Sequence, residues 1–271
     1  MKRILVPTDF SELARRAVRH AGSIAQHAGA EVTVLYADTF MPPPHFTADQ
    51  IPDLLRGIEQ SKAAAKDLLN RCVAETLGSS AAWRTVVVER EPVEAILSTA
   101  EELDADLLVM GTHGRSGVDR LMLGSVTEKV LHRTKRPLMT TRLHREAPPE
   151  PRRVLVPTDL GAASRRSLAL ALRHAALFDS ETVLLHVIGE GDDPPAAAWE
   201  QFLAAAGAST EIERRVARGP VAERVLQTAE EIGAALIVVG IEHKRFRDTT
   251  VLGSNVVKII RHADVPVLAV P

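Results

Sequence analysis

One pattern occurs twice along this chain. Arg3-Ile-Leu-Val-Pro-Thr-Asp9 returns as Arg153-Val-Leu-Val-Pro-Thr-Asp159, Leu107-Leu-Val-Met-Gly111 as Leu236-Ile-Val-Val-Gly240, and Gly124-Ser125 as Gly253-Ser254. The ends match as well, Thr134-Lys-Arg-Pro137-Leu-Met-Thr140 against Ala263-Asp-Val-Pro266-Val-Leu-Ala269. The 271 residues are enough for two domains of about 100–150 residues each, so the repeat sets the architecture. The offset is 150 at the aspartate and 129 at the glycine, which makes the second copy 21 residues shorter. Between the copies, Leu143-His-Arg-Glu-Ala-Pro-Pro-Glu-Pro151 reads as a polar, proline-stiffened linker. The expected domains are 1–143 and 152–271.

Within the first copy, short apolar runs alternate with helical periodicity. Ile4–Val6 reads as a strand, and Ser11–Gly29 as a helix with Leu13, Ala17, Ala21, Ile24 and Ala28 on one face. Glu31–Ala37 is the second strand. Pro42-Pro-Pro44 breaks the chain before a long helix over about Thr47–Gly78. Arg84–Glu89 is a strand, Pro92–Leu103 a helix opened by proline, Leu107–Met110 a strand, Val126–Arg133 a helix and Pro137–Arg142 the last strand. The second copy follows the same plan. Its missing residues fall mostly after its second strand, where only about Pro194–Gly207 remains as a helix. Alternating strands and helices predict an α/β fold: two tandem, doubly wound open sheets, mainly parallel, with helices on both faces. Ligands of such sheets sit beyond the carboxyl ends of the strands, where strand order reverses.

The first copy carries a signal at such a strand end. Ala105–Met110 has a buried-strand pattern and runs into Gly111-Thr-His-Gly114; nine residues later comes Gly124-Ser125, opening a helix. Paired glycines let an anion approach backbone N–H groups, and a helix N-terminus adds unpaired donors and partial positive charge. That is the physics of a phosphate cradle. Neither the Walker spacing nor the dinucleotide spacing G-x-G-x-x-G occurs. A tight turn needing positive φ is the plain alternative for Gly111 and Gly114. Ser125-Val-Thr-Glu128 and Asp9-Phe-Ser-Glu12 both fit helix-capping patterns. Asp9 therefore reads either as a cap or as a carboxylate facing a ligand.

Here the chain resembles the universal stress proteins. Their ATP-binding members carry G-x-x-G, nine residues, then G-[ST], matched by Gly111, Gly114, Gly124 and Ser125. The strand and turn ending in Pro7-Thr8-Asp9 look like the family's first strand and turn. The resemblance covers nearly the whole chain. It implies five-stranded sheets of order 3-2-1-4-5, Rossmann-like and of the adenine nucleotide alpha hydrolase type. It also implies ATP, ADP or AMP as ligand, with Mg2+ as a companion. Asp9 would face the ribose or base, and Ala37 would offer backbone to adenine. Met110 would lie under the nucleotide, and Val126 would lend an N–H to phosphate. His113 and Arg115 flank the cradle, with Arg115 able to make charge-assisted phosphate contacts. His113 has no second ligand at zinc-like spacing, so no metal site is expected.

The second copy departs from the pattern. His243 stands where the first copy has Gly114, and Glu242 adds a charge that repels phosphate. Its nucleotide site is expected to be vacant or weak, with Asp159 and Val187 at the matching positions. The leading reading is a stress-response protein that binds an adenine nucleotide in domain one as a regulatory ligand. Two alternatives are a slow ATPase or phosphoryl-transfer enzyme and a nucleotide-independent adaptor. No P-loop lysine or poised base supports catalysis. The apolar final strands would be uncomfortable as free edges. The resemblance implies that they pair, giving a pseudo-dimer within one chain and a homodimer of two-domain chains, with an unknown protein partner. A net charge of −2 gives no case for nucleic acid or anionic membrane. One cysteine, Cys72, and no signal-peptide pattern or long apolar run lead to an expected cytoplasmic location.

Overall fold

The computed structural model of the chain describes residues 1–39, 51–112, 123–142, 153–189, 191, 193–242, 244–246, 249–251 and 253–271, with 244–246 and 249–251 as backbone. The chain packs as two compact units, Met1–Met110 and Gly111–Pro271. The unit boundary therefore falls inside the first sequence copy.

The first unit holds β1 (Arg3–Pro7), α1 (Glu12–Ala28), β2 (Glu31–Asp38), α2 (Ile51–Leu77), β3 (Ala82–Glu89), α3 (Pro92–Glu102) and β4 (Leu107–Gly111), whose last residue crosses the boundary. The strands run parallel in the order β3-β2-β1-β4, with Val6 opposite Val34 and Ile4 opposite Leu107. Ile4, Leu5, Val6, Leu107 and Leu108 are fully buried, as a strand covered on both faces requires. Helix α1 buries Leu13, Ala17, Ala21 and Ile24 from one face, as its spacing predicts. Gly29 ends it in the left-handed conformation, φ 62. Ala28, expected on that face, is half-buried.

Helix α2 divides along its length. Leu69, Val73 and Leu77, four residues apart, are buried, each burial worth about 1.5–3 kcal/mol. Lys66 donates to the Thr85 carbonyl and Lys62 pairs with Glu89, tying the same half to β3. The first turns keep Ile51 and Leu55 exposed. The expected start at Thr47 lies outside the described residues.

The second unit holds α4 (Ser125–Arg133), β5 (Leu138–Thr141), β6 (Arg153–Thr158), α5 (Ala162–Leu177), β7 (Glu181–Ile188), α6 (Ala196–Ala206), β8 (Glu213–Arg218), α7 (Val221–Glu231) and β9 (Leu236–Gly240). After these come β10 (Lys244–Phe246), β11 (Thr249–Val251), α8 (Ser254–His262) and β12 (Val267–Val270). Its main sheet runs β5-β12-β9-β6-β7-β8. The second copy's own strands thus take the order 3-2-1-4-5, and the first copy follows that order as far as β4.

Strand β5, the last of the first copy, pairs antiparallel with β12, the last of the second: Thr140 faces Val267 and Leu138 faces Ala269. That ladder is why β5 and α4 pack with the second unit. The short antiparallel ribbon β10–β11 was not expected from the sequence. Among the described residues no helix is long and apolar enough to cross a membrane.

Candidate functional site

Each unit contains the strand at which sheet order reverses. In the first, β1 lies between β2 and β4; in the second, β6 lies between β7 and β9. The sequence signals cluster at the carboxyl ends of these strands, where a doubly wound sheet opens its crevice.

In the first unit, Pro7 ends β1 and Thr8 donates its N–H to the Leu35 carbonyl at 2.8 Å, holding the turn against β2. Two side chains then fold the loop. The Thr8 hydroxyl accepts from the Phe10 N–H at 3.1 Å, and the Asp9 carboxylate accepts from the Ser11 N–H at 3.0 Å. Such short-range bonds turn the chain sharply before the helix. Ser11, not Asp9, is the N-cap of α1: its hydroxyl accepts from the Ala14 N–H at 3.2 Å. The capping expectation for Asp9 is therefore corrected. Its carboxylate sits one step earlier, at the strand end.

Phe10 pays for the turn with a left-handed backbone, φ 65, strained by about 1–2 kcal/mol for a residue with a Cβ. Its ring stacks obliquely on Tyr36, centroids 4.8 Å apart, and the Tyr36 hydroxyl donates to Asp38 at 2.9 Å. Beneath Phe10 a narrow cleft is lined by Thr8, Val18, Val34, Leu69 and Cys72. Ala37 lies near the end of β2, half-buried and in register with Val88. Met110, next to last in β4, is buried.

The second unit begins with the other half of the motif. The Thr112 N–H donates to the Thr141 carbonyl at 3.1 Å, fixing the end of β4 to β5. The Gly124 N–H donates to the Thr112 carbonyl at 2.7 Å, and the Thr127 hydroxyl donates to the Gly111 carbonyl at 2.9 Å. Together these bonds clamp the first turn of α4 onto the strand end. Gly124 is the N-cap and Ser125 the first helical residue, and among the described residues no side chain caps this end. That corrects the expected capping box, in which Ser125 was the cap. The helix end instead presents Ser125 exposed and Val126 half-buried. Uncapped first-turn amides carry the positive end of the helix dipole. Thr127 was missed by sequence reasoning; its only signal was a hydroxyl one turn into the helix. His113, Gly114 and Arg115 lie outside the described residues.

The matching strand end of the second copy is built differently. The turn itself recurs: the Leu160 N–H donates to Thr158 Oγ1 at 2.9 Å, the Gly161 N–H to Asp159 Oδ1 at 2.8 Å, and Leu160 has φ 63. Ser164 then donates to the same Asp159 oxygen at 2.7 Å, where the first copy has Ala14. Burial pushes the Asp159 pKa up. The bonds from Ser164 and from the Gly161 and Asp159 amides, with the His186 charge, outweigh it and hold the carboxyl below its ordinary value. His186 replaces Tyr36, with Nδ1 2.8 Å from the Thr158 carbonyl and its ring edge-on to Trp199.

Gly240, which ends β9, has a packing reason to be glycine. A Cβ there would lie 2.6 Å from the Ala163 carbonyl carbon and 3.0 Å from the Ser164 nitrogen. Beyond it, β10 and β11 pair Lys244 with Val251 and Phe246 with Thr249, so backbone groups in this stretch are engaged in a ladder. Val256 stands where Thr127 does in the first copy and has no hydroxyl to donate. Among the described residues no three His, Cys, Asp or Glu side chains gather in a way that could hold a metal ion.

Comparison with known proteins agrees with this duplicated plan. The chain is similar to universal stress protein MJ0531 of Methanocaldococcus jannaschii, 34% identical over 145 residues, covering 52% of this chain and 82% of that protein. It is also similar over nearly its full length to a universal stress protein of Mycolicibacterium smegmatis, 27% identical, covering 98% of this chain and 96% of that one. The crystal structure of a universal stress protein from Archaeoglobus fulgidus superposes with a TM-score of 0.79 at 25% identity, covering 99% of this chain and 97% of that one. A sequence model described as the universal stress protein family matches residues 1–142 and again 150–271. The chain therefore belongs to the universal stress protein family, as a tandem member with two copies of the domain.

Proposed function

We propose that the first copy binds an adenine nucleotide, ATP in preference to ADP or AMP, as a regulatory ligand and not as the substrate of rapid catalysis. The observation that carries this reading is the N-terminus of α4, which no side chain caps among the described residues and which is clamped by Thr127 onto the Gly111 carbonyl and by Gly124 onto the Thr112 carbonyl. Preorganised amides at a helix N-terminus stabilise phosphate without needing a side-chain charge. Gly111, Gly114, Gly124, Ser125 and Val126 would receive the phosphates, with His113 and Arg115 flanking them. Asp9, in the loop held by Pro7 and Thr8, would accept from the ribose hydroxyls. Ala37 would pair with adenine through its backbone, which places no demand on its side chain, and Met110 would supply surface below it. Any Mg2+ would enter with the phosphates.

The second copy, on the same reading, binds no nucleotide. Its aspartate is held by Ser164, its glycine serves close packing, and its loop amides form a ribbon. The functional domains we propose are 1–143 and 152–271, in a cytoplasmic protein that signals to a protein partner by nucleotide-dependent bias of its surface. Such bias requires unequal nucleotide affinity for two conformations. Homodimerisation of the two-domain chains belongs to the same proposal.

Isothermal titration of ATP into the intact chain tests the reading, alongside a phosphate-release assay. The expected result is saturable binding with release no faster than buffer. An absence of binding contradicts it, and release that depends on Gly124 would replace the regulatory ligand with a substrate.

A further inference from the structure

Two aromatic residues tie the Asp9 turn to the end of β2. On that strand the Leu35 carbonyl accepts from the Thr8 N–H at 2.8 Å, and the Asp38 carbonyl accepts from the Arg90 N–H at 3.1 Å. Strand residues two apart direct their backbone groups to the same side. Odd positions of β2 therefore point toward β1 and even ones toward β3, so Ala37 turns its N–H and carbonyl toward β1. The last pair of the β1–β2 ladder is Pro7 with Leu35, and Ala37 lies beyond it, where β1 has ended. Asp9 stands in the turn that follows β1, so the placing of turn against strand sets its distance from the Ala37 backbone. The residues that fix this placing are neighbours of both. Phe10 follows Asp9, Tyr36 precedes Ala37, and their ring centroids are 4.8 Å apart. Tyr36 and Asp38 share a face of the strand, and the Tyr36 hydroxyl donates to the Asp38 carboxylate at 2.9 Å, across Ala37. The second copy is built without these groups. Leu160 stands for Phe10 and Ile188 for Asp38, while His186, in place of Tyr36, sets Nδ1 2.8 Å from the Thr158 carbonyl.

We propose that Phe10 and Tyr36 are positioning residues that set the spacing between the Asp9 carboxylate and the Ala37 backbone, and so make the first copy select adenine over guanine nucleotides. This rests on the nucleotide reading above and adds to it the residues that give base specificity. A single backbone N–H and carbonyl read a base by the order of its donors and acceptors. Adenine presents an amino donor where guanine presents a carbonyl acceptor. The two are told apart only if the strand edge stays at a fixed distance from the carboxylate that holds the ribose, since a shift of about 1 Å misaligns the bonds. The stacked rings resist sliding of the turn along the strand, and the hydroxyl bond to Asp38 holds the strand end itself.

The test is titration of ATP and of GTP into the intact chain and into Phe10→Leu, Phe10→Tyr and Tyr36→Phe. The intact chain should bind ATP more tightly than GTP. Phe10→Leu should lose about three- to tenfold in ATP affinity and Tyr36→Phe about threefold, with GTP affinity unchanged, so that the preference narrows. Phe10→Tyr keeps the ring and should keep the ATP affinity. Leucine adopts this bend in the second copy, at φ 63, so Phe10→Leu is expected to fold. Should circular dichroism show otherwise, Tyr36→Phe, which removes one hydroxyl, carries the comparison. Unchanged ATP affinity in the folded variants overturns the positioning role and leaves the nucleotide reading intact. Equal losses for ATP and GTP also overturn it, because they mark a general loosening of the loop, as does equal affinity of the intact chain for both. Where GTP binding is too weak to detect throughout, failure of Phe10→Tyr to keep what Phe10→Leu loses overturns it. If the intact chain binds neither nucleotide, both proposals fall.

Discussion

The two strand-end turns of this chain differ by a few atoms and teach which parts of a duplicated turn the fold holds fixed. Both use Thr and Asp to fold the same bend, with a left-handed residue at its third position, Phe10 or Leu160. In the second copy a serine hydroxyl reaches the aspartate from α5, where the first has the methyl of Ala14. In the first copy the helix after β4 is clamped by a threonine hydroxyl, whereas the second has a valine there and a ribbon between its strand and its helix. The bend recurs because the fold needs it to pass from strand to helix. The parts that vary are those the proposed nucleotide would touch.

Substitutions that move features between the copies should break this comparison if it is wrong. The largest effect is expected at Gly114. A Gly114→Val variant should lose about 100-fold in ATP affinity, since a branched Cβ obstructs approach to the backbone, while His243→Gly in the second copy should create no new site. Titration calorimetry reads both. Next, Gly240→Ala should destabilise the chain by about 2–3 kcal/mol, because the new Cβ meets backbone atoms of α5 that cannot rotate away. Chemical denaturation measures the loss, and ATP affinity should stay unchanged.

A pH effect separates the copies on their first helices. His20 is half-buried, and burial, with the Arg16 charge second, pushes its pKa down to about 4. The unfolded chain takes up a proton near pH 6.5 that the folded chain refuses. The stability tied to His20 is thus complete above that pH and lost as pH falls toward 4. Allowing for partial exposure, the loss is about 2 kcal/mol. Leu170 holds the matching position in the second copy. His20→Leu should remove this part of the acid sensitivity, read from denaturation midpoints across that range.

The smallest effect is expected for Thr127→Val, which gives the first copy the second copy's residue. Losing one partly buried hydrogen bond should cost about 1 kcal/mol. ATP affinity should fall with it, because the first turn of α4 is then held less firmly. An affinity equal to that of the unaltered chain would show that the clamp serves the fold alone.

Much of this was legible in the sequence. The alternation of apolar runs with helical faces defined the parallel sheet, and the repeat defined two copies of it. Positions adjacent in sequence to a strand end, such as Asp9 and Gly111, could be placed because strand and motif are contiguous. Other features depended on contacts remote in sequence. Ser11 takes the capping role from Asp9 because the left-handed turn at Phe10 shifts the helix start, and no periodicity reveals a φ value. The close approach at Gly240 involves Ala163, far along the chain. Pairing of Lys244 through Val251 was hidden because three-residue strands carry too little pattern to read. The compact-unit boundary at Met110 follows from β5 bonding to β12, a partner chosen across the whole second copy.

The most direct test of the central claim is the stoichiometry of ATP bound to the intact two-copy chain, from native mass spectrometry cross-checked by calorimetry. The account predicts a single nucleotide per chain, displaced by Gly114→Val and indifferent to Gly240→Ala. Two equivalent nucleotides per chain, or none, would contradict it.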